Sequence, residues 1–239
     1  MEELVQNRDA FLAKIAHRLG KAEVSRNLEK PAWKYHPEEI TLKYETSNEL
    51  VEILREQCKE IHTKFVMTEK NQLKSIIKEI VNEYGGGPIV TWQDEKFAEY
   101  GLMELFNVEW PKENIEVHMW DYSLKEENVK KAEKANVGIT ISDLTLAESA
   151  TVVLLSSKDR GRTVSFLPET SIMIVPKSTI VPRLTQASSF LTEKIQSGEL
   201  VPSCINFISG PSYSADIEMM LVLGVHGPVK AAYIVVEDL

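Results

Sequence analysis

One loop of the sequence combines glycine with side chains that suit an anion-binding site. Gly210 follows an apolar strand, and the residues after it are predicted to open a helix whose free amides Ser212 and Ser214 can cap. Such a helix N-terminus attracts phosphate or carboxylate. Asp216 and Glu218 in the predicted first turn would already complement the helix dipole and repel an anion. The sequence therefore leaves two interpretations open, a capped helix and a ligand loop.

Three other residues have side chains that could do chemistry at loops. Glu148 is the only charged residue between Asp143 and Lys158, so it either faces solvent or lies in a cleft where it could act as acid, base or nucleophile. His226 is flanked by glycine-containing turns and is either an acid–base group or a hydrogen-bonded turn residue. Arg162 follows a glycine and could capture a carboxylate or phosphate, although paired arginines in a loop are common on solvated surfaces.

Composition and charge exclude several classes of protein. The 239 residues include 27 Lys+Arg and 36 Asp+Glu, which gives a net charge of −9. An acidic chain lacks the electrostatic footprint of a nucleic-acid binder. No apolar run approaches the ~18–20 residues of a membrane span, and no basic leader precedes a hydrophobic segment at the N-terminus. We therefore expect a cytoplasmic protein that binds neither nucleic acid nor membrane.

The cysteines and histidines predict that the chain itself carries no cofactor or metal. Cys58 and Cys204 are far apart in sequence, form no CxxC motif, and cannot supply the four thiolates that an iron–sulfur cluster usually requires. They are expected to be free thiols in a reducing compartment. The five histidines show no zinc-binding spacing such as HExxH.

Alternating short strands and helices predict the fold class. From Lys64 onward the pattern is typical of an α/β protein with a doubly wound, mostly parallel sheet. Residues 1–45 are predicted to be a helical N-terminal extension and arm, and residues 46–239 the α/β domain. Aromatic residues in the arm predict a contact with a neighbouring subunit or a partner protein. They are Trp33, Tyr35 and Tyr44.

Helix signals are clear at three places. Thr46-Ser47-Asn48-Glu49 is a capping-box pattern at the start of a helix. Asn71 is predicted to cap the next helix, and a late helix is predicted over Ala215–Leu223. In open α/β sheets, ligands bind beyond the carboxyl ends of the strands, so we expect the candidate side chains to share one cleft there. The expected catalytic residues are Glu148, Asp216 and His226, and the expected ligand-binding residues are Thr140, Arg162, Ser212, Ser214 and Glu218.

An ordered series of short motifs resembles the lactate utilization (LUD) domain family. The series is Gly138-Ile139-Thr140, Ala147-Glu148-Ser149-Ala150-Thr151, Arg162, Leu167-Pro168, Gly210-Pro211-Ser212, Ala215-Asp216-Ile217-Glu218 and Gly224-Val225-His226-Gly227-Pro228. The family fold is similar to that of the CoA-transferase and ribose-phosphate-isomerase superfamily. The resemblance implies a part in oxidising L-lactate to pyruvate for growth on lactate, with iron–sulfur clusters in partner subunits.

The residues alone leave three functions open. The first is a non-redox subunit of a lactate-oxidising complex. The second is a stand-alone enzyme that performs acyl transfer, phosphoryl transfer or isomerisation on a small carboxylate with Glu148. The third is a sensor that binds lactate or a nucleotide without turnover. A small carboxylate or phosphate ligand and a homo-oligomer are compatible with each.

Overall fold

The computed structural model describes residues 6–24, 32–43, 45–217 and 220–238, with the backbone alone at 215–217. The chain divides into two units, Met1–Glu38 and Glu39–Leu239. The predicted boundary between residues 45 and 46 remains a prediction.

The first unit leaves much of its apolar surface exposed. Its helix α1 (Arg8–Arg18) carries Phe11 and Ile15, whose side chains are 65% and 41% exposed. Trp33 and Tyr35 of the arm are each 73% exposed. Tyr44 lies outside the described residues. These side chains remain available to a partner, as the arm prediction requires.

The element bounds follow in chain order for the described residues. The other α-helices are α2 (Pro37–Ile40), α3 (Ser47–Glu60), α4 (Leu73–Glu83), α5 (Glu95–Glu99), α6 (Trp110–Lys112), α7 (Glu126–Lys134) and α8 (Leu184–Gln196). The strands are β1 (Lys64–Glu69), β2 (Ile89–Thr91), β3 (Val117–Met119), β4 (Val137–Ile141), β5 (Leu144–Leu146), β6 (Thr151–Leu155), β7 (Thr170–Pro176), β8 (Ile180–Val181), β9 (Ile205–Ile208), β10 (Tyr213–Ile217), β11 (Met220–Leu223) and β12 (Lys230–Glu237). Within the ranges that the structure describes, no helix is both long and apolar enough to cross a bilayer.

A six-stranded parallel sheet forms the centre of the larger unit and confirms the α/β prediction. Its order is β1-β12-β7-β4-β2-β3. Every residue of β4 and β7 is buried, as expected for strands covered on both faces. At the start of α3, Glu49 N–H donates to the Thr46 hydroxyl at 3.3 Å, and Thr46 N–H donates to the Glu49 carboxylate at 2.7 Å. The predicted capping box is therefore confirmed. At α4 the N-cap position is Gln72 rather than Asn71, and its side chain makes no capping hydrogen bond.

A second sheet, which the sequence pattern did not predict, packs on the first. Its order is β8-β5-β6-β9, and β6 runs antiparallel to both β5 and β9. Val152 and Leu154 of β6 join the main core. Val153 points to the other side and packs with Ala187 of α8 in a smaller cluster. The second sheet thus lies between the main core and α8.

The helix predicted over Ala215–Leu223 is wrong. The segment forms an antiparallel hairpin of β10 and β11, in which Tyr213 pairs with Leu223 and Ser214 with Val222. Its Met, Leu and Glu residues favour helix in isolation, but cross-strand pairing overrides this weak preference. The loop at Gly210 therefore opens a strand, so neither the capped helix nor an anion site at a helix N-terminus forms there.

The protein should lose stability at alkaline pH. Burial raises the pKa of Cys58 and of Tyr84 to about 12, whereas thiols and phenols in an unfolded chain titrate near ~8.5 and ~10. The folded state then keeps protons that the unfolded state releases. The stability that the folded protein gains from these raised pKa values is complete below about pH 8.5 and is lost progressively towards pH 12. Urea unfolding should show a midpoint lower at about pH 10 than at about pH 8.

Cys58→Ala provides the control for this pH effect. It should lower the midpoint at both pH values, because Cys58 is fully buried. It should also reduce the difference between them, since the thiol no longer titrates. An equal pH difference in both proteins would contradict the assignment to Cys58.

Candidate functional site

A cleft of about 310 Å³ lies between the second sheet, the hairpin and the amino ends of β7 and β12. It offers four hydroxyls, one imidazole and a largely apolar wall, a combination typical of small-molecule sites. The lining residues are Ser165, Phe166, Met173, Phe207, Ile208, Ser209, Gly210, Pro211, Ser212, Tyr213, His226, Gly227 and Pro228.

The buried hydroxyl of Tyr233 holds the loop that begins at Gly210. It accepts a hydrogen bond from Gly210 N–H at 2.8 Å, and its proton is shared between the carbonyl oxygens of Ala150 at 3.0 Å and Ile208 at 3.1 Å. Burial raises the pKa of this phenol, so the hydroxyl stays protonated. Gly210 has φ +69°, and a Cβ there would lie 2.6 Å from Thr63 Oγ1. Only glycine fits this turn without a shift.

A chain of hydroxyls joins the Ala147–Thr151 motif to the cleft. Ser149 Oγ lies 2.7 Å from Thr151 Oγ1, which lies 2.7 Å from Ser209 Oγ on the cleft wall. Two sequence motifs that are distant in the chain therefore meet here. The arrangement fixes the orientation of the Ser209 hydroxyl towards Thr151.

Ser212 and His226, both predicted site residues, lie together in the cleft. His226 N–H donates to the Ser212 hydroxyl at 3.3 Å, and Ser212 N–H donates to the Pro228 carbonyl at 2.8 Å. Gly227 allows this approach, since a Cβ there would lie 3.2 Å from Ser212 Cβ. His226 is exposed and Ser212 half-buried, so the imidazole can meet a ligand that enters from solvent.

The structure places Glu148 and Thr140 elsewhere. Glu148 is 42% exposed and forms an ion pair with Arg183, with 2.6 Å between its Oε2 and the arginine Nε. It does not line the cleft. Thr140 is fully buried on β4, and its hydroxyl has no hydrogen-bond partner among the described residues. Its register partner is Met173, so the two side chains share the sheet face that the cleft overlies.

The remaining predicted residues are not part of the described cleft wall. Arg162 is exposed, and its carbonyl accepts the Ser165 hydroxyl at 2.8 Å. Ser214 and Asp216 lie on β10 rather than on a helix, and the Asp216 side chain lies outside what the structure describes. Glu218 also lies outside the described residues.

Topology explains why the cleft is not at the carboxyl edge of the central sheet. Gly210 does follow the carboxyl end of a strand, but that strand is β9 of the second sheet. Gly227 and Pro228 precede β12, and Phe166 precedes β7. Sequence reasoning also missed Phe166, Phe207 and Ser209 as lining residues, because only the second sheet brings them together.

Of the two neighbouring arginines in this loop, Arg160 rather than Arg162 forms buried ion pairs. Its Nε lies 3.1 Å from the Asp94 carboxylate, and its Nη1 lies 2.8 Å from that of Asp143. Its Nη2 donates to the Ile141 carbonyl at 3.1 Å, and its guanidinium lies 4.4 Å from the Trp92 ring centroid. The charged side chains are only 12–15% exposed. Its partners lie far away in sequence, so no local signal distinguishes it from Arg162.

Comparison with known proteins identifies the family. The LUD domain model matches residues 51–236. A lactate utilization protein C from Geobacillus sp. (strain WCH70) is 55% identical, over 98% of this chain and 97% of that protein. One from Bacillus subtilis (strain 168) is 52% identical, over 98% of each chain. The solved structure of a DUF162 family protein from Deinococcus radiodurans has a TM-score of 0.56 at 14% identity, covering 80% of this chain and 99% of that one, which supports the fold. The chain belongs to the LUD domain family.

Proposed function

We propose that this chain is a subunit without a redox centre in a system that oxidises L-lactate to pyruvate, and that its partner subunits carry iron–sulfur clusters. The observation that carries the proposal is the similarity to proteins named lactate utilization protein C, at 46–55% identity over nearly their whole length. Similarity of this extent supports a part in lactate utilization. The iron–sulfur clusters of the partner subunits and the conversion of L-lactate to pyruvate are the more specific part of the proposal.

The state of the two cysteines supports a division of labour between subunits. Cys58 is fully buried, and burial raises its pKa to about 12, so it stays a neutral thiol rather than a metal-binding thiolate. Cys204 Sγ lies 3.5 Å from Asn206 Oδ1. One remaining thiol cannot provide the usual ligand set of an iron–sulfur cluster. Electrons removed from lactate would therefore travel through another subunit.

The cleft around Ser212 and His226 is the proposed site for a small carboxylate or phosphate. The imidazole and the Ser212 hydroxyl can donate hydrogen bonds to an anion. The apolar wall of Phe166, Phe207 and Met173 would surround a short carbon chain. A volume of about 310 Å³ lies at the lower end of the range for small-molecule sites.

A reconstitution experiment tests the proposal. The purified chain should be colourless and should not reduce a dye with L-lactate. Addition of the iron–sulfur partners should produce lactate-dependent dye reduction that requires this chain. His226→Ala should lower that rate by about tenfold or more, since it removes a polar group from the cleft. The control is His62→Asn, which changes an exposed histidine outside the cleft.

Two results would overturn the proposal. One is a near-stoichiometric chromophore on the isolated chain or lactate oxidation by the chain alone. The other is a full rate in the partner mixture without this chain. A full rate with His226→Ala would remove the cleft from the proposal and leave the subunit role standing.

Glu148→Gln tests the alternative in which this carboxylate is the reacting group. The substitution should leave the fold intact, because the ion pair to Arg183 is partly exposed and such pairs contribute little. If Glu148 is the reacting group, the variant should fail to grow on lactate; the proposed function, in which Glu148 lies outside the cleft, instead expects normal growth. Glu199→Gln, which breaks a comparable exposed pair with Lys194, is the matched control and should grow normally. Normal growth of both variants would make Glu148 a surface residue.

A further inference from the structure

The central sheet has a crevice at the carboxyl ends of β2 and β4. These strands are parallel neighbours. From β2 the chain continues to β3, which lies on one side of this pair of strands. From β4 the next strand of the same sheet is β7, which lies on the other side. Where connections depart in opposite directions, the strand ends of an open α/β sheet leave a crevice that commonly receives a ligand. The Ser212–His226 cleft lies elsewhere, so this edge is not used by the proposed function.

Arg160 fills this crevice and pins the loop that carries it. The guanidinium binds Asp94, which follows β2, and Asp143, which follows β4. The Trp92 indole N–H donates to the Gly161 carbonyl at 2.8 Å, and Gln93 N–H donates to the Asp159 carbonyl at 3.1 Å. Buried ion pairs are costly to assemble. Here they fix a short surface loop, residues 156–161, just outside the strand ends.

The pinned loop forms one wall of an open cleft of about 570 Å³, and the residues after β3 form another. The Trp120 indole packs directly on Gly161, where a Cβ would lie 2.3 Å from the ring. Its N–H donates to the Lys158 carbonyl at 3.1 Å. Trp120 is thereby held against the backbone of this loop. Tyr122 and Ser203 also line this cleft, and Tyr122 is 67% exposed.

The cleft combines groups for a flat ring with groups for an anion. Tyr122 offers an exposed aromatic face for stacking, and the Trp120 ring lines the same cleft. The Lys158 side chain is 75% exposed, and its ammonium comes no closer than 3.9 Å to the Asp159 carboxylate, too far for a hydrogen bond. Its donors are therefore available to a phosphate, with the Ser157 and Ser203 hydroxyls on the same lining. We propose that this cleft binds a mononucleotide, with the base against the aromatic side chains and the phosphate at Lys158.

Calorimetric titration of the full chain with AMP, adenosine and inorganic phosphate tests this site. AMP should bind. Adenosine and phosphate should each bind at least about tenfold more weakly, because adenosine lacks the phosphate and inorganic phosphate lacks the base. Lys158→Ala and Tyr122→Ala should each weaken AMP binding by about tenfold or more. Both side chains are exposed, so both variants should fold. Lys130→Ala, which changes an exposed lysine of α7, should bind AMP like the unmodified protein.

The proposal stands only if both substitutions weaken AMP binding. It is overturned if AMP binds no more tightly than about 5 mM, if either variant binds AMP normally, or if phosphate alone binds as tightly as AMP. None of these results depends on the lactate assay, so the nucleotide site and the proposed function can fail separately.

Discussion

Arg160→Leu should lower the free energy of unfolding by about 3–5 kcal/mol, the cost of removing one partner from a buried ion pair. Asp94 and Asp143, whose side chains are 12% and 13% exposed, would then have no cation between them. The Ile141 carbonyl would also lose its donor. Urea unfolding monitored by circular dichroism measures the change.

Arg162→Leu is the matched control for this prediction. It removes the same charge two residues away, but its side chain is exposed, so the change should stay within about 0.5 kcal/mol. Adding Asp94→Asn to Arg160→Leu should recover part of the loss, since one uncompensated charge disappears. Equal effects of the two leucine variants would show that the Arg160 network contributes little.

Tyr233→Phe should lower the free energy of unfolding by about 2–3 kcal/mol, because it leaves a buried donor and two carbonyl oxygens without their shared partner. It should also lower the reconstituted lactate-oxidation rate, since Gly210 and the loop to Ser212 lose their anchor. The ring itself remains, so no large cavity forms. Thermal unfolding and the dye assay together measure both effects.

Tyr84→Phe is the comparison for Tyr233→Phe. Tyr84 is also buried, at 9% exposure, and both substitutions remove a single phenol oxygen. The difference in the free energy of unfolding between the two variants then measures the contribution of the three hydrogen bonds between the Tyr233 hydroxyl and the backbone. A Tyr233→Phe protein as stable and active as Tyr84→Phe would show that the hydroxyl does not hold the loop.

Local signals in the sequence were reliable where the structure itself is local. The capping box at Thr46 and Glu49 depends on residues three apart, so its pattern was sufficient. The strand and helix alternation likewise predicted the parallel sheet. The hairpin of β10 and β11 was missed because its residues have good helix propensity, and only pairing between Tyr213 and Leu223 shows otherwise.

The site was harder to predict because distant segments build it. Ser212 and His226 were found from glycine-rich turns, and the structure places them together. The anchor of their loop, Tyr233, lies in an apolar strand where its spacing resembles that of any core residue. The sequence likewise could not show that Arg160, and not Arg162, forms the buried ion pairs, because its partners Asp94 and Asp143 follow other strands of the sheet.

The position of β12 has a consequence for synthesis on the ribosome. It lies between β1 and β7. Ala232 of β12 pairs with Lys64 of β1, and Lys230 of β12 pairs with Thr170 of β7. While the chain emerges, β1 therefore has no neighbour in the sheet until Lys230–Glu237 has left the exit tunnel. The edges of β1 and β7 stay unpaired during that interval and offer their backbone groups to other chains. A chaperone that covers these edges should raise the yield of folded protein, and truncation before Lys230 should produce aggregates.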